Sequence, residues 1–203
     1  AGKYVKVEPS AINAYLNNEG INCICPDQEG NIWIGTAEFG IVRIRLKSGT
    51  IEPESADRYN MENGRLNNDM PLCIFQDRKG RIWAGTKGGG LSLYDKDVDK
   101  FGIVENMHLF PSDEISSITE DNNGNLWISM RNELICLSFD ADGMVGGMRT
   151  YQRRMVIGSQ YFGYGQSSAN NADGIAFGFN TGFVSFPDLL PASESNPFRP
   201  MIT

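Results

Sequence analysis

Asp27-Gln28-Glu29-Gly30-Asn31-Ile32-Trp33-Ile34-Gly35-Thr36 decides the fold, because the chain says it again. Asp77-Arg78-Lys79-Gly80-Arg81-Ile82-Trp83-Ala84-Gly85-Thr86 follows 50 residues later. Asp121-Asn122-Asn123-Gly124-Asn125-Leu126-Trp127-Ile128-Ser129-Met130 follows 44 residues after that. All 3 tryptophans of the chain fall at one repeat position, which chance placement does not explain. A fourth, degraded copy is Asp173-Gly174-Ile175-Ala176-Phe177-Gly178, with Ala176 at the tryptophan place. Self-similarity at a period of roughly 20–50 residues marks a repeat architecture whose units stack to bury a shared core.

Each copy reads as antiparallel strands. Ile21 to Cys25 forms a first strand. Asp-x-x-Gly then turns the chain, with the carboxylate accepting backbone N–H bonds and the glycine supplying a positive φ. Asn31 to Thr36 forms a second strand, rich in residues that suit a pleated surface. A turn follows, at Phe39-Gly40, at Gly88-Gly89-Gly90 and at Thr181-Gly182. Third strands run over Ile41–Leu46, Leu91–Tyr94, Ile135–Phe139 and Phe183–Phe186. More variable fourth strands lie near Ile51–Tyr59, Val98–Val104 and Met148–Tyr151. Ile12 to Leu16 suits a short helical turn, and sustained helical periodicity is missing. Four strands per copy is the size of a propeller blade. The expected fold is therefore all-β: β-propeller blades of four antiparallel strands, about four of them, in an incomplete propeller. Residues 1–10 read as a strand from a preceding blade. Blades follow at 11–60, 61–106 and 107–157, with a last, degenerate blade at 158–190. The tryptophan lies on the second strand, where a large flat side chain fills the wedge between neighbouring sheets and buries roughly 200 Å².

Bulk composition narrows the function classes. The chain of 203 residues is 40% hydrophobic and 21% charged, as a soluble globular protein is. No apolar run reaches the roughly 18 residues of a membrane span. A net charge of −7 disfavours nucleic acid and anionic membrane as partners. Both ends, Ala1-Gly2-Lys3 and Met201-Ile202-Thr203, look cut from a longer chain. Cys23, Cys25, Cys73 and Cys136 show no metal-like spacing and read as buried free thiols filling small apolar slots, with a disulfide as the alternative.

No catalytic residue, metal site or cofactor is assigned. His108 is the single histidine, with no nucleophile motif near it. Asp95-Lys96-Asp97-Val98-Asp99 alternates carboxylates like a calcium loop, but Lys100 stands where glycine is needed and Asn106 where glutamate is needed. It reads as a charged solvent turn, and Asp140-Ala141-Asp142-Gly143 as an ordinary one. Asp27, Asp77 and Asp121 share one repeat position, so each is expected to serve its own turn. Ligand-binding residues concentrate on loops. Turns after the second strand and connections after the fourth share one propeller face. That face carries the candidate ligand-binding residues Glu38, Phe39, Lys87, Arg131, Asn132 and Asn180. The connections Arg58 to Asn68 and Glu105 to Pro111 join it.

The repeat Asp-x-x-Gly-Asn-Ile/Leu-Trp-Ile-Gly-Thr resembles the two-component regulator propeller repeat, over roughly residues 11 to 190. The third copy departs at Ser129-Met130 and at Asn132-Glu133-Leu134. The Asp-x-x-Gly-x-x-Trp core is also similar to the Asp-box of sialidases and to streptogramin-lyase-like propellers. Pro197-Phe198-Arg199-Pro200-Met201-Ile202-Thr203 is similar to the first strand of the immunoglobulin-like domain that follows such propellers, which makes 191–203 a linker. The resemblance implies a periplasmic ectodomain segment of an inner-membrane receptor in a hybrid two-component system, where the parent chain carries a histidine kinase. It also implies a small-molecule or oligosaccharide ligand, with no direct membrane contact by this segment. An open arc of four blades leaves apolar faces at both ends, which favours self-association. A propeller enzyme, such as a lyase or glycoside hydrolase, and a purely structural scaffold are the alternatives. The enzyme would need a central acidic or histidine cluster that the sequence does not display.

Overall fold

The computed structural model describes residues 15–16, 18–47, 53–104, 109–152, 156, 162, 168–171 and 174–186. Residues 1–10 and 191–203, and with them the preceding strand and the linker, lie outside the described residues, as does His108. Four antiparallel sheets follow one another along the chain. The first blade is β1 (Ile21–Pro26), β2 (Asn31–Thr36), β3 (Ile41–Leu46) and β4 (Pro53–Tyr59). The second is β5 (Pro71–Gln76), β6 (Ile82–Thr86), β7 (Leu91–Asp95) and β8 (Lys100–Ile103). The third is β9 (Ser117–Glu120), β10 (Leu126–Ser129), β11 (Glu133–Phe139) and β12 (Val145–Gln152). The last has three strands among the described residues, β13 (Ser168–Asn171), β14 (Gly174–Phe179) and β15 (Gly182–Phe186). Every sheet is a meander in sequence order.

The turn between the first and second strands shows why the repeat is written as it is. Asp27 Oδ1 accepts the N–H groups of Glu29 (2.9 Å) and Asn31 (2.8 Å), and its Oδ2 accepts the Trp33 indole N–H at 2.8 Å. Asp77 does the same for Lys79, Arg81 and Trp83, and Asp121 for Asn123, Asn125 and Trp127. The carboxylate thus ties the turn to the side chain that fills the blade junction. Gly30, Gly80 and Gly124 close these turns at φ near +80° (84°, 79° and 82°), which a side chain would strain. Asp140 builds the same turn between β11 and β12, accepting from Asp142 and Met144 N–H, with Gly143 at φ 81°.

Side chains alternate across each sheet, and the tryptophan face always meets the next blade. Trp33 packs on Ile74, Ile82, Ala84 and Phe101 of the second blade. Trp83 packs on Ile118, Leu126, Ile128 and Leu137 of the third. Trp127 packs on Ile175, Phe177, Val184 and Phe186 of the fourth. The three indoles are 1%, 1% and 2% exposed, so they are core residues. In the last blade Ile175 and Phe177 face backward, which leaves Ala176 at the tryptophan place on the outward face. The innermost strands β1, β5, β9 and β13 neighbour one another in that order, with no comparable contact from β13 back to β1 among the described residues. The blades form an open arc. Its leading face is partly covered: Tyr15 and Leu16 lie on Ile34, Val42 and Ile44.

The cysteines explain the repeat glycine. Cys23 stands opposite Gly35 and Cys73 opposite Gly85 in the ladder. A Cβ on Gly85 would lie 2.6 Å from Cys73 Sγ, and one on Gly35 would collide with Cys23 Sγ. All four thiols are free, with Cys25 and Cys136 buried and Cys23 and Cys73 half-buried by residue. In the third blade the pair becomes Ser117 opposite Ser129, joined by a 2.6 Å hydrogen bond between hydroxyls. The departure at Ser129 is therefore half of a paired exchange.

Candidate functional site

The turns after the second strands of the first two blades lie against the connections beside them. Gly40 N–H donates to Asp69 O (2.9 Å) and Lys87 N–H to Met70 O (2.9 Å), so the turns of the first two blades lie against the β4–β5 connection. Gly88 and Gly90 N–H both donate to Asp113 O, at 3.0 and 2.8 Å, on the β8–β9 connection. Lys87 also forms a β-bridge with Glu114. The glycine triplet also lets the β4–β5 connection come close. A Cβ on Gly89 would lie 2.6 Å from Asn68 Cβ and 2.7 Å from Thr86 Oγ1.

Glu38, Lys87, Arg131, Asn132 and Asn180 are exposed, and Phe39 is half-buried under the Arg58 guanidinium, 5.5 Å from the ring centroid. Each sits on its own blade's turn. Thr36 Oγ1 clamps the first of these turns by accepting Phe39 N–H and donating to Gly40 O, and Thr86 clamps the second in the same way. Met130 replaces that threonine in the third blade, where Arg131 and Asn132 make a tighter turn closed by Met130 N–H to Glu133 O. Asn180 tops the last hairpin, with Phe179 opposite Gly182.

Between the second and third blades the surface beside these connections opens into a cleft of about 680 Å³, lined by Asn67, the glycine triplet, Phe110, Ser112 and Asp113 among others. Asn67 is held at both ends of its amide: Nδ2 donates to Gly89 O and Oδ1 accepts from Ser92 Oγ. Ser112 and Asp113 lie just past the connection expected to contribute, because a connection's end cannot be read where no strand signal begins. Among the described residues no group of three or more His, Cys, Asp or Glu is placed to hold a metal ion. No helix among them is long and apolar enough to cross a membrane.

A second polar cluster escaped the sequence reading. Arg43, on β3, is buried between the first two blades with its guanidinium 5.2 Å from the Trp33 ring, 5.5 Å from Tyr59 and 5.6 Å from Tyr94. Asp57 accepts from it at 2.8 Å, and Asp99 lies 3.4 Å away. Asp99 also accepts from Tyr59 (2.7 Å) and Tyr94 (2.5 Å) and pairs with Arg65. Asp99 is thus no free member of a solvent turn: at φ 53° it folds back onto the junction, while Asp95 caps the turn. Partial desolvation raises its carboxyl, but the two tyrosine hydroxyls and the charges of Arg43 and Arg65 outweigh that and hold it below the ordinary range. Burial first, then the neighbouring carboxylate, pushes both tyrosine hydroxyls up. The cluster reads as a clasp between blades.

Residues 15–38, 64–88 and 109–132 each match the family model of the two-component regulator propeller. This chain carries two-component regulator propeller repeats. Each matched segment runs through the box aspartate, its tryptophan strand and the start of the following turn, the parts whose bonds recur from blade to blade. Among solved structures these repeats are similar to the extracellular domain described for a one-component system of B. thetaiotaomicron, with a TM-score of 0.66 and 18% identity over 88% of this chain and 25% of that one. The extracellular domain of a hybrid two-component system from the same organism matches with a TM-score of 0.60 and 20% identity, over 91% of this chain and 24% of that one. The Dos1 propeller matches at 0.53 and 11% identity, over 83% of this chain and 46% of that one. At these identities the likeness is one of fold, and it makes the arc a run of propeller blades. The regulator propeller segment spans about a quarter of each of the first two chains. No curated protein matches the sequence.

Proposed function

We propose that this chain is a ligand-binding stretch of the extracytoplasmic, periplasmic part of a signalling receptor, and that it binds rather than catalyses. The observation that carries the reading is the coincidence of regulator propeller repeats with a cleft on the connection face. That face bears adaptable polar side chains on short turns clamped by Thr36, Thr86 and Asp113, the arrangement in which loops bind while the scaffold holds still. The class of ligand proposed is an oligosaccharide or other neutral small molecule that reaches out of the cleft to the turn residues Glu38, Phe39, Lys87, Arg131, Asn132 and Asn180, none of which lines the cleft itself. An overall acidic surface suits a neutral ligand better than a polyanion. Signalling would follow from tighter binding to one of two receptor arrangements.

Calorimetry of the whole ectodomain against a panel of oligosaccharides tests this. One member is expected to bind, and Lys87→Ala and Arg131→Ala each weaken it about tenfold with no change in melting temperature. Product release from the panel, or binding untouched by every turn substitution, would move the function off this face. We further propose self-association through the blade faces at the ends of the arc, where Ile24 is 58% and Phe183 is 47% exposed. Sedimentation velocity is expected to show a concentration-dependent dimer that Phe183→Ser weakens. A monomer at all micromolar concentrations would contradict it.

A further inference from the structure

The three blade junctions form an internal comparison. At each one, the ladder fixes which third-strand residue stands beside the tryptophan and which fourth-strand residue stands beside that. The first junction has Arg43 beside Trp33 and Asp57 beside Arg43. The third has Cys136 beside Trp127 and Arg149 beside Cys136. Two residues further along the fourth strand come Tyr59 and Tyr151, and both lie against their tryptophan, with ring centroids 5.5 Å apart in each case. The middle junction has Leu93 beside Trp83 and Gly102 beside Leu93, with Val104 in the tyrosine's place. Glycine for Asp or Arg, and valine for tyrosine, removes most of the filling.

The result is a crevice of about 490 Å³ at the outer rim between the second and third blades. Its walls include Leu93, Val104, Phe139 and Met144, and Ile103 and Met144 stand 57% exposed at its edge. The glycine that opens it is not required by the backbone. Gly102 has no positive φ, and a Cβ there would meet nothing nearer than Leu93 O at 4.0 Å. Arg81 lines the crevice where the other two boxes carry Asn31 and Asn125. Its Nε binds Asp77 at 2.6 Å and its Nη1 binds Gly143 O at 3.0 Å. Its guanidinium packs against both Trp83 and Phe139, with Cζ 4.9 and 4.3 Å from the ring centroids. Nη2 makes no hydrogen bond among the described residues, so edge donors remain. Asp77 balances the arginine charge, and the other charged lining residues are already engaged, Asp95 with the Asp97 N–H and Lys96 with Glu29, which disfavours a charged guest.

We propose that this rim crevice is a second binding site, for a neutral, mostly apolar, ring-shaped small molecule carrying one acceptor oxygen that takes the Arg81 edge N–H. Its volume falls in the range of small-molecule pockets, roughly 300–1,000 Å³. Of its lining residues only Ile103 also lines the connection-face cleft, and the proposal does not depend on the receptor reading.

Nile red, an uncharged planar dye with one carbonyl, is the probe. The whole chain is expected to bind one equivalent, with enhanced and blue-shifted emission. Gly102→Tyr fills the crevice and is expected to weaken binding about tenfold or more at an unchanged or raised melting temperature. Val104→Tyr restores the residue type of the flanking blades and is read the same way should the first variant fold poorly. Arg81→Asn keeps the box bond to Asp77, as Asn31 and Asn125 do, and is expected to weaken binding about tenfold through the lost donor. Undiminished binding in a folded filling variant, loss with Phe183→Ser instead, or no binding by the parent chain would each overturn the site.

Discussion

At the scale of single residues, the box aspartate is where sequence becomes structure. Asp77 is 2% exposed and holds two backbone N–H groups, the Arg81 guanidinium and the Trp83 indole. Asp77→Ala strands these donors in the protein interior, and a chemical denaturation curve is expected to show a loss of about 2–4 kcal/mol. The paired exchange at the third box makes a subtler test. Ser129→Gly alone leaves the Ser117 hydroxyl buried without its partner and is expected to cost about 1–3 kcal/mol. Adding Ser117→Cys recreates the pairing of the first two blades and is expected to recover most of that loss. The thiols themselves give a pH signature. Burial pushes the Cys23 and Cys136 thiols up to about 12, and Cys73 well above its ordinary value. Such groups stay protonated in the fold while the unfolded chain ionises near 9.0, so their contribution is intact below that and lost as pH rises toward 12. Melting temperature is expected to fall over that window, and less steeply in Cys23→Ala.

At the scale of elements, strand positions were legible in the sequence because the repeat supplies three independent readings of one pattern. Trp33, Trp83 and Trp127 fixed the register, and each box aspartate marked its turn. Legibility ended where the copies stop agreeing. The fourth strands differ most, and the Arg43 clasp is built from just these: Asp57 and Tyr59 on β4, and Asp99 just before β8. A buried arginine in one copy, answered by leucine and cysteine in the others, carries no repeat signal at all. The turn residues Glu38, Lys87 and Arg131 were placeable on one face, but the cleft beside them needed the Asp113 connection, which has no motif. The clasp makes its own prediction. Because the Asp99 carboxyl is held below its ordinary value of 3.8, its stabilisation is complete above that pH and is lost as pH falls through the lower folded value. Thermal melts from about pH 5 down to about pH 2.5 are expected to show a smaller acid-induced drop for Asp99→Asn than for the parent chain.

At the scale of the molecule, each of the first three blades presents an indole to its successor's apolar face, so stability is approximately a chain of nearest-neighbour junctions. The last blade breaks the chain by placing Ala176 where the indole would stand. The three junctions are filled by different means: a charged clasp, an arginine packed against two rings beside a crevice, and a stack of Trp127 with Tyr151 and Phe186. The repeated backbone bonds set the architecture, and the unrepeated side chains between blades are free to specialise. The whole account rests on equivalent burial of the three tryptophans. Hydrogen exchange of the indole N–H protons by NMR measures this directly. Three indole signals are expected, each protected because its buried proton is donated to Asp27, Asp77 or Asp121 at 2.8–2.9 Å. Each should lose protection when its own aspartate becomes alanine. Any indole that exchanges at the rate of a free tryptophan in the native chain would contradict the stacked-blade arrangement.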